Sequence, residues 1–192
     1  MTHDNVSHDQ VEALMHKIGG REGLEKLLAG EWTLCKPADP AARVADLLDV
    51  VGDPLEAPAV ERFVARDRFV AEAAGELPIR YVGEDFTAHF LGVVEEAVPA
   101  ARLSQYELVK SSIDGPIFAA LGGEGEARIA LAHLYAFLKT ADRTRWFFFY
   151  VADAAGKLWA VDAYWREHGW DLEAYSVTYP RGWRGGGRVV SR

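Results

Sequence analysis

Two acidic residues near the end of the chain, Asp162 and Glu173, are the pair whose types and spacing could do chemistry. They sit on two apolar runs separated by Arg166-Glu167-His168-Gly169, a turn with a glycine available for positive φ. Pairing those runs as an antiparallel hairpin sets Trp165 opposite Trp170, Ala163 opposite Leu172 and Val161 opposite Ala174 on one apolar face. The other face then sets Tyr164 opposite Asp171 and Asp162 opposite Glu173. Like charges directly opposite are unfavourable, and such a pair raises a pKa, holds a cation or is neutralised by a basic neighbour. Asp162 and Glu173, with His168 in the turn, are therefore the candidate acid–base residues of a small hydrolase-like site.

The other chemical fingerprints are absent. The chain has no G-x-S-x-G, no G-x-x-x-x-G-K-[ST], no C-x-x-C and no H-E-x-x-H. Gly122-Gly123-Glu124-Gly125 precedes a helix, but Glu124 and Glu126 stand where an anion would bind, so it reads as a loop ending in an N-cap. His133, in line with Ile129 and Phe137, and His89, between phenylalanines, read as packed, hydrogen-bonded histidines. His3, His8 and His16 lack tight metal-ligand spacing, and the single cysteine, Cys35, allows neither an internal disulfide nor a thiolate zinc site. No metal and no cofactor are expected.

The hairpin belongs to an aromatic block. Five of the six tryptophans lie between Trp146 and Trp183. The run from Trp146 to Val151 is apolar on both sides, so it is either a central strand covered twice or a strand offering aromatics to a partner. On the second reading Phe147, Phe149, Tyr164, Tyr175 and Trp183 form the contact surface of a protein-binding or self-associating module. The preferred function is that non-catalytic module, with a protein partner or a second copy of the chain. The alternative is the hydrolase-like site, and a third is weak nucleic-acid binding through the tail.

The charge pattern bears on that third reading. The net charge is −8, which disfavours a nucleic-acid or anionic-lipid surface. The last segment reverses the sign: Arg181, Arg184, Arg188 and Arg192 occur there without an acid. YPRGWRGGGRVVSR reads as a Gly bend and a terminal strand whose arginines answer the acidic body. The N-terminus has neither a basic nor an apolar signal region, and no apolar run is long enough to span a bilayer, so a cytoplasmic location without membrane contact is expected.

Three segments position these residues. Residues 1–36 read as a helical hairpin: a capping box at Ser7 and Gln10 starts a helix bearing Val11, Leu14, Met15 and Ile18, and a second helix from Arg21 to Leu28 carries Leu24, Leu27 and Leu28. Glu31 to Cys35 suits a short strand. Residues 37–76 read as an acidic connector of two helices, the first starting at Asp39-Pro40 and the second running from about Ala59 to Ala74. Residues 77–192 read as the main domain. It has strands at Ile79–Val82 and Leu103–Lys110, a helix starting at Asp85 or Glu84 and bearing Phe86, Phe90, Val93 and Val94, and a short helix at Ile117–Leu121. A long helix from Glu124 to Thr140 follows, then strands at Arg145–Ala152, Lys157–Trp165 and Gly169–Val177, with Arg188–Ser191 as a last extended piece. Helices and strands do not alternate regularly, so the fold class is α+β: an antiparallel sheet of three to five strands packed with helices, preceded by a small helical N-terminal region.

KIGGREGLEKLLAGEWTL resembles a short module found at the start of many uncharacterised bacterial proteins. LWAVDAYWREHGWDLEAYSVTYPRGWRGGGRVVSR, with YVGEDFTAHFL upstream, is similar to the endings of some of them. The resemblance covers the two ends and not the acidic middle. It implies a bacterial, cytoplasmic protein and lends no functional residue.

Overall fold

A computed structural model describes residues 20–29, 46–71, 76–178 and 182–192. The chain forms two compact units, Met1–Ala38 and Asp39–Arg192. In the first unit α1 spans Gly20–Leu28, where GREGLEKLL gives the expected helix. Glu22 precedes Lys26 by one turn and the two are 2.7 Å apart, the favourable order for an i,i+4 pair. The expected helix at Val11–Ile18, the strand at Glu31–Cys35 and the residues His3, His8, His16 and Cys35 lie outside the described residues.

The second unit is built on a sheet. Its strands are β1 Leu48–Val50, β2 Leu55–Ala57, β4 Ile79–Val82, β6 Ala101–Leu108, β7 Arg128–Ile129, β8 Trp146–Ala152, β9 Leu158–Arg166, β10 Gly169–Ser176 and β11 Arg188–Ser191. The order is β1-β6-β11-β8-β9-β10-β4, with β2 also on β6 and β7 also on β8. β3 Val60–Val64 and β5 Val94–Val98 make a separate two-stranded sheet. Among the described residues the unit also has helices α2 Ala65–Arg68, α3 Glu84–Phe90, α4 Asp114–Leu121, α5 Glu124–Ala127 and α6 Leu131–Thr140.

This corrects the expected fold class. Among the described residues the main sheet has nine strands and is mixed, rather than three to five antiparallel strands. The cause is β11. Val189 and Val190 are fully buried, and β11 inserts between β6 and β8, antiparallel to the first and parallel to the second. That insertion joins the meander to β6 and, through it, to β1 and β2. β4 and β7 add further parallel pairs, to β10 and β8.

Two helix expectations also give way to strands. Over 48–64 the chain forms β1, β2 and β3 with loops between them, and among the described residues of the expected connector helix is left only at 46–47 and Ala65–Arg68. Short apolar runs do not distinguish helix from strand by periodicity alone, and pairing to β6 and β5 decides the matter. The long helix from Glu124 breaks at Arg128–Ile129, which is extended and pairs with Tyr150 and Val151. Glu95 then starts α6 afresh: its carboxylate accepts the Leu131 and Ala132 N–H groups at 2.8 and 2.9 Å, satisfying two donors of the helix end.

β8 is the double-covered strand. Phe147 and Phe149 pack edge-on against Phe137 of α6, at 5.1 and 5.5 Å between ring centres. Phe148 and Tyr150 face the other way, onto Trp183 and onto Phe118 of α4. Each face therefore carries its own apolar cluster, with α6 and α3 on the first and α4 on the second.

Candidate functional site

The β9–β10 hairpin has the register expected from its sequence. Trp165 pairs with Trp170, Ala163 with Leu172, Tyr164 with Asp171 and Asp162 with Glu173. The turn differs in detail. Arg166 pairs with Gly169, so the loop is Glu167-His168, and Glu167 takes the positive φ of 50°. Gly169 serves close approach instead: a Cβ there would lie 2.7 Å from the Arg80 backbone nitrogen on β4.

The first hairpin is set by Asp153. Its carboxylate accepts the Ala155 and Lys157 N–H groups and the Trp159 indole N–H, each at 2.9 Å. Burial pushes that carboxyl up, but these bonds and the nearby His89 hold it below the usual aspartate range. The resulting register puts Phe148 beside Asp162 and Trp146 beside Tyr164. The second sheet face thus carries Tyr81, Asp171, Tyr164 and Trp146 in one row and Glu173, Asp162, Phe148 and Val189 in the next.

A cleft of about 440 Å³ opens on this face. Trp146, Asp162, Tyr164, Arg166, Gly182, Trp183 and Arg184 line it. One wall is the loop before β11. Ser112 and Trp183 exchange two backbone hydrogen bonds, and the Gly186 N–H donates to Leu108. Trp183 lies flat on Phe148, with 4.5 Å between ring centres and 4° between planes. Gly187 is where Trp146 crosses the backbone, since a Cβ there would stand 2.2 Å from its ring. Asp114 locks the wall from beneath: Oδ1 accepts the Trp183 indole N–H at 2.7 Å and the Tyr150 hydroxyl at 2.8 Å. Burial raises the Asp114 carboxyl above its ordinary value despite both bonds. Burial and the adjacent Asp114 together raise the Tyr150 phenol.

Beyond the cleft the face is polar. Arg80 donates to Asp171 Oδ2, and Arg166 Nε lies 4.0 Å from the same oxygen. Arg166 also stands over the Tyr164 ring, 4.9 Å from its centre. The bond to Asp171 raises the Arg80 guanidinium, and burial first, then Asp171, raises the Tyr164 phenol. Tyr175 donates its hydroxyl to Glu173. Tyr164, Glu173 and Tyr175 are half-buried, and Tyr81 is 42% exposed.

The expected site residues divide. Asp162 and Tyr164 line the cleft, and Glu173 and Tyr175 lie next to it as a bonded pair. Trp183 lines the wall but is only 2% exposed. His168 is an exposed turn residue beyond Arg166, so it does not join Asp162, which lies four strand positions before Arg166, roughly 13 Å along the strand. Phe147 and Phe149 are fully buried and cannot form a contact surface; an all-apolar strand is central here because both faces are covered. Arg80 and the Asp114 lock carry no signal in the sequence. The lock in particular joins residues 69 apart, a spacing without local signal.

Other candidates resolve into structure. His133 is 3% exposed and donates from Nε2 to the Pro99 carbonyl at 3.0 Å. His89 stacks on Trp159 at 3.8 Å, with Nδ1 3.7 Å from Asp153. Gly122 caps α4 at a φ of 94° and Gly123 caps the four-residue α5. In the tail, Arg188 Nε lies 3.7 Å from Glu107 and Arg192 donates to the Gly125 carbonyl. Among the described residues no cluster of His, Cys, Asp and Glu is placed to hold a metal ion, and no helix is long and apolar enough to cross a membrane.

No family model, curated protein or solved structure matches this chain.

Proposed function

We propose that this chain is a non-catalytic binding module whose contact surface is the cleft walled by Trp146, Tyr164 and Trp183, together with the polar sheet face beside it. The observation that carries this reading is the cleft itself. It is concave, aromatic-walled and edged by Asp162, Arg166 and Arg184, the mixture that typically orients a bound molecule. Its wall is held by a buried aspartate with two side-chain bonds, so the shape is set before a ligand arrives. The buried aromatics of β8 support the cleft from behind rather than meet a partner. A protein partner or a second copy of the chain remains within this reading, provided it engages this face.

The test is a thermal-shift screen of the full chain against a chemically mixed set of sugars, amino acids, nucleotides and short peptides. The expected result is a class of molecules that raises Tm in the parent protein and no longer does so in Arg184→Ala, whose side chain is exposed. If no class raises Tm, or every hit is indifferent to Arg184→Ala, the reading is wrong.

One observation favours a second reading, acid–base catalysis: Asp162 and Glu173 are direct cross-strand partners at the cleft. Turnover of chromogenic ester, phosphate or glycoside substrates that disappears in Asp162→Asn with folding intact would move the assignment to an enzyme.

A further inference from the structure

We infer that the outer edge of β5 is a docking site for an extended, acidic peptide segment of another protein, which adds to the β3–β5 sheet as a third strand. This surface is separate from the cleft and does not depend on the reading of the cleft. The first ground is register. Val64 stands opposite Val94 and Arg62 opposite Glu96, and the Ala65 N–H donates to the Val93 carbonyl at 3.1 Å. Opposite residues of an antiparallel pair are alternately hydrogen-bonded and not. Val93 and Glu95 therefore bond to β3, while Val94 and Glu96 turn their N–H and C=O groups away from it. Among the described residues β5 pairs with β3 alone, and these outward groups meet no other backbone. Val94 is 43% exposed and Glu96 is exposed as well. Unpaired backbone groups on an accessible edge are a template for one further strand. Ala97, with a φ of 50°, ends the regular stretch and so limits its length.

The second ground is the space beside the edge. Every residue from Val93 to Pro99 borders a cavity of about 540 Å³, roughly 20 Å of extended chain. The facing wall is residues 128–130 and the β8–β9 turn, where Ala130, Ala152, Ala154 and Gly156 leave room for side chains of an incoming strand. The edge is fixed in advance, because Glu95 is bonded to the first turn of α6 and His133 donates to the Pro99 carbonyl. As a cavity wall, the edge is more open to a lone extended segment than to the same edge of a second copy, which carries β3 behind it. The third ground is charge. Each acid of the lining is already engaged: Glu95 with the Leu131 and Ala132 N–H groups, Asp153 with three N–H groups, and Glu96 with Arg62 at 3.1 Å. Glu124 and Glu126 of α5 do not border the cavity, and Arg192 donates to the Gly125 carbonyl. Arg128 is exposed and, among the described residues, forms no ion pair, so a carboxylate on the peptide meets it without displacing one.

The experiment uses the full chain on an array of short immobilised peptides with alternating valines, flanked by acidic, neutral or basic residues. The best acidic peptide is then titrated in solution, as it stands and with its backbone N-methylated at odd or at even positions. Acidic peptides are expected to bind best. N-methylation at one parity should weaken binding about tenfold or more and at the other parity hardly at all, because only alternate N–H groups face β5. Arg128→Ala should weaken the acidic peptide about threefold or more. Glu96→Pro removes an N–H that points away from β3, so it should abolish binding with far-UV circular dichroism unchanged. Where Glu96→Pro does not fold, the N-methylated peptides and Arg128→Ala still decide. Equal effects of the two N-methylation parities, or binding indifferent to Arg128→Ala, would overturn the inference. So would binding lost in Arg184→Ala, which would place the peptide in the cleft. Failure of every peptide to bind, with or without dimerisation of the chain through this edge, would also overturn it, while leaving the reading of the cleft untouched.

Discussion

Trp183 donates its indole N–H to Asp114 across 2.7 Å, joining the C-terminal loop to the start of α4. Through the same carboxylate oxygen Tyr150 fastens the loop to the central strand. A wall of the cleft thus depends on one buried acid that borders no part of the cavity.

Replacing that acid separates its two roles. Asp114→Ala leaves two buried donors without an acceptor and should cost about 2–4 kcal/mol in denaturant unfolding. Asp114→Asn keeps a carbonyl oxygen in place and should lose less than about 1 kcal/mol near neutral pH. Equal losses in the two variants would mean that the bonds to Tyr150 and Trp183 contribute little.

The same residue gives a pH signature. Its folded-state pKa is raised above the ordinary value of 3.8 by burial. Its contribution to stability is therefore fullest below that value and is lost as pH rises through the folded pKa. The stability of the parent protein relative to Asp114→Asn should fall as pH climbs from about 4. Asp142 and Asp153, held below their usual range by hydrogen bonds from Thr144 and from Trp159, Lys157 and Ala155, act oppositely: their contribution is lost as pH falls through their folded values. The difference between the two proteins cancels those groups, and a difference that rises with pH would reverse the assignment.

Much of this arrangement is encoded locally. The β9–β10 register follows from period-two alternation around a short turn, because a one-residue slip would put Trp165 and Trp170 on the polar face. The pairing of Asp162 with Glu173 comes with it. α1 is legible for the same reason, its leucines and its Glu22–Lys26 pair repeating at helical spacing. What is not legible depends on distant chain. β11 is four residues long, and nothing in Arg188–Ser191 says that it enters between β6 and β8. The break at Arg128–Ile129 is made by β8 and Glu95, both remote in sequence. The aromatic run of β8 is ambiguous by itself, since a covered strand and an exposed one read alike until α4, α6 and Trp183 are placed.

That ambiguity yields a mutational contrast. Phe149→Ala removes a fully buried ring packed on Phe137 and should cost about 3–5 kcal/mol. Its effect on any ligand should track the loss of folded protein. A well-folded Phe149→Ala protein with a selective binding defect would restore β8 as a contact surface.

Gly187→Ala addresses the wall directly. The added methyl would stand 2.2 Å from the Trp146 ring, so the indole must move. We expect a stability loss of about 1–3 kcal/mol and an altered near-UV circular dichroism spectrum, with far-UV signal preserved. An unchanged near-UV spectrum would show that Trp146 does not lie across this glycine.

Indole N–H signals of ¹⁵N-tryptophan-labelled protein, followed during addition of the best compound from the screen, test the cleft most directly. Trp146 and Trp183 line it, whereas Trp170 is fully buried in the core on the opposite sheet face. The account predicts saturable shifts of the Trp146 and Trp183 signals with Trp170 unmoved. Binding that shifts Trp170 and leaves Trp146 and Trp183 in place would contradict it.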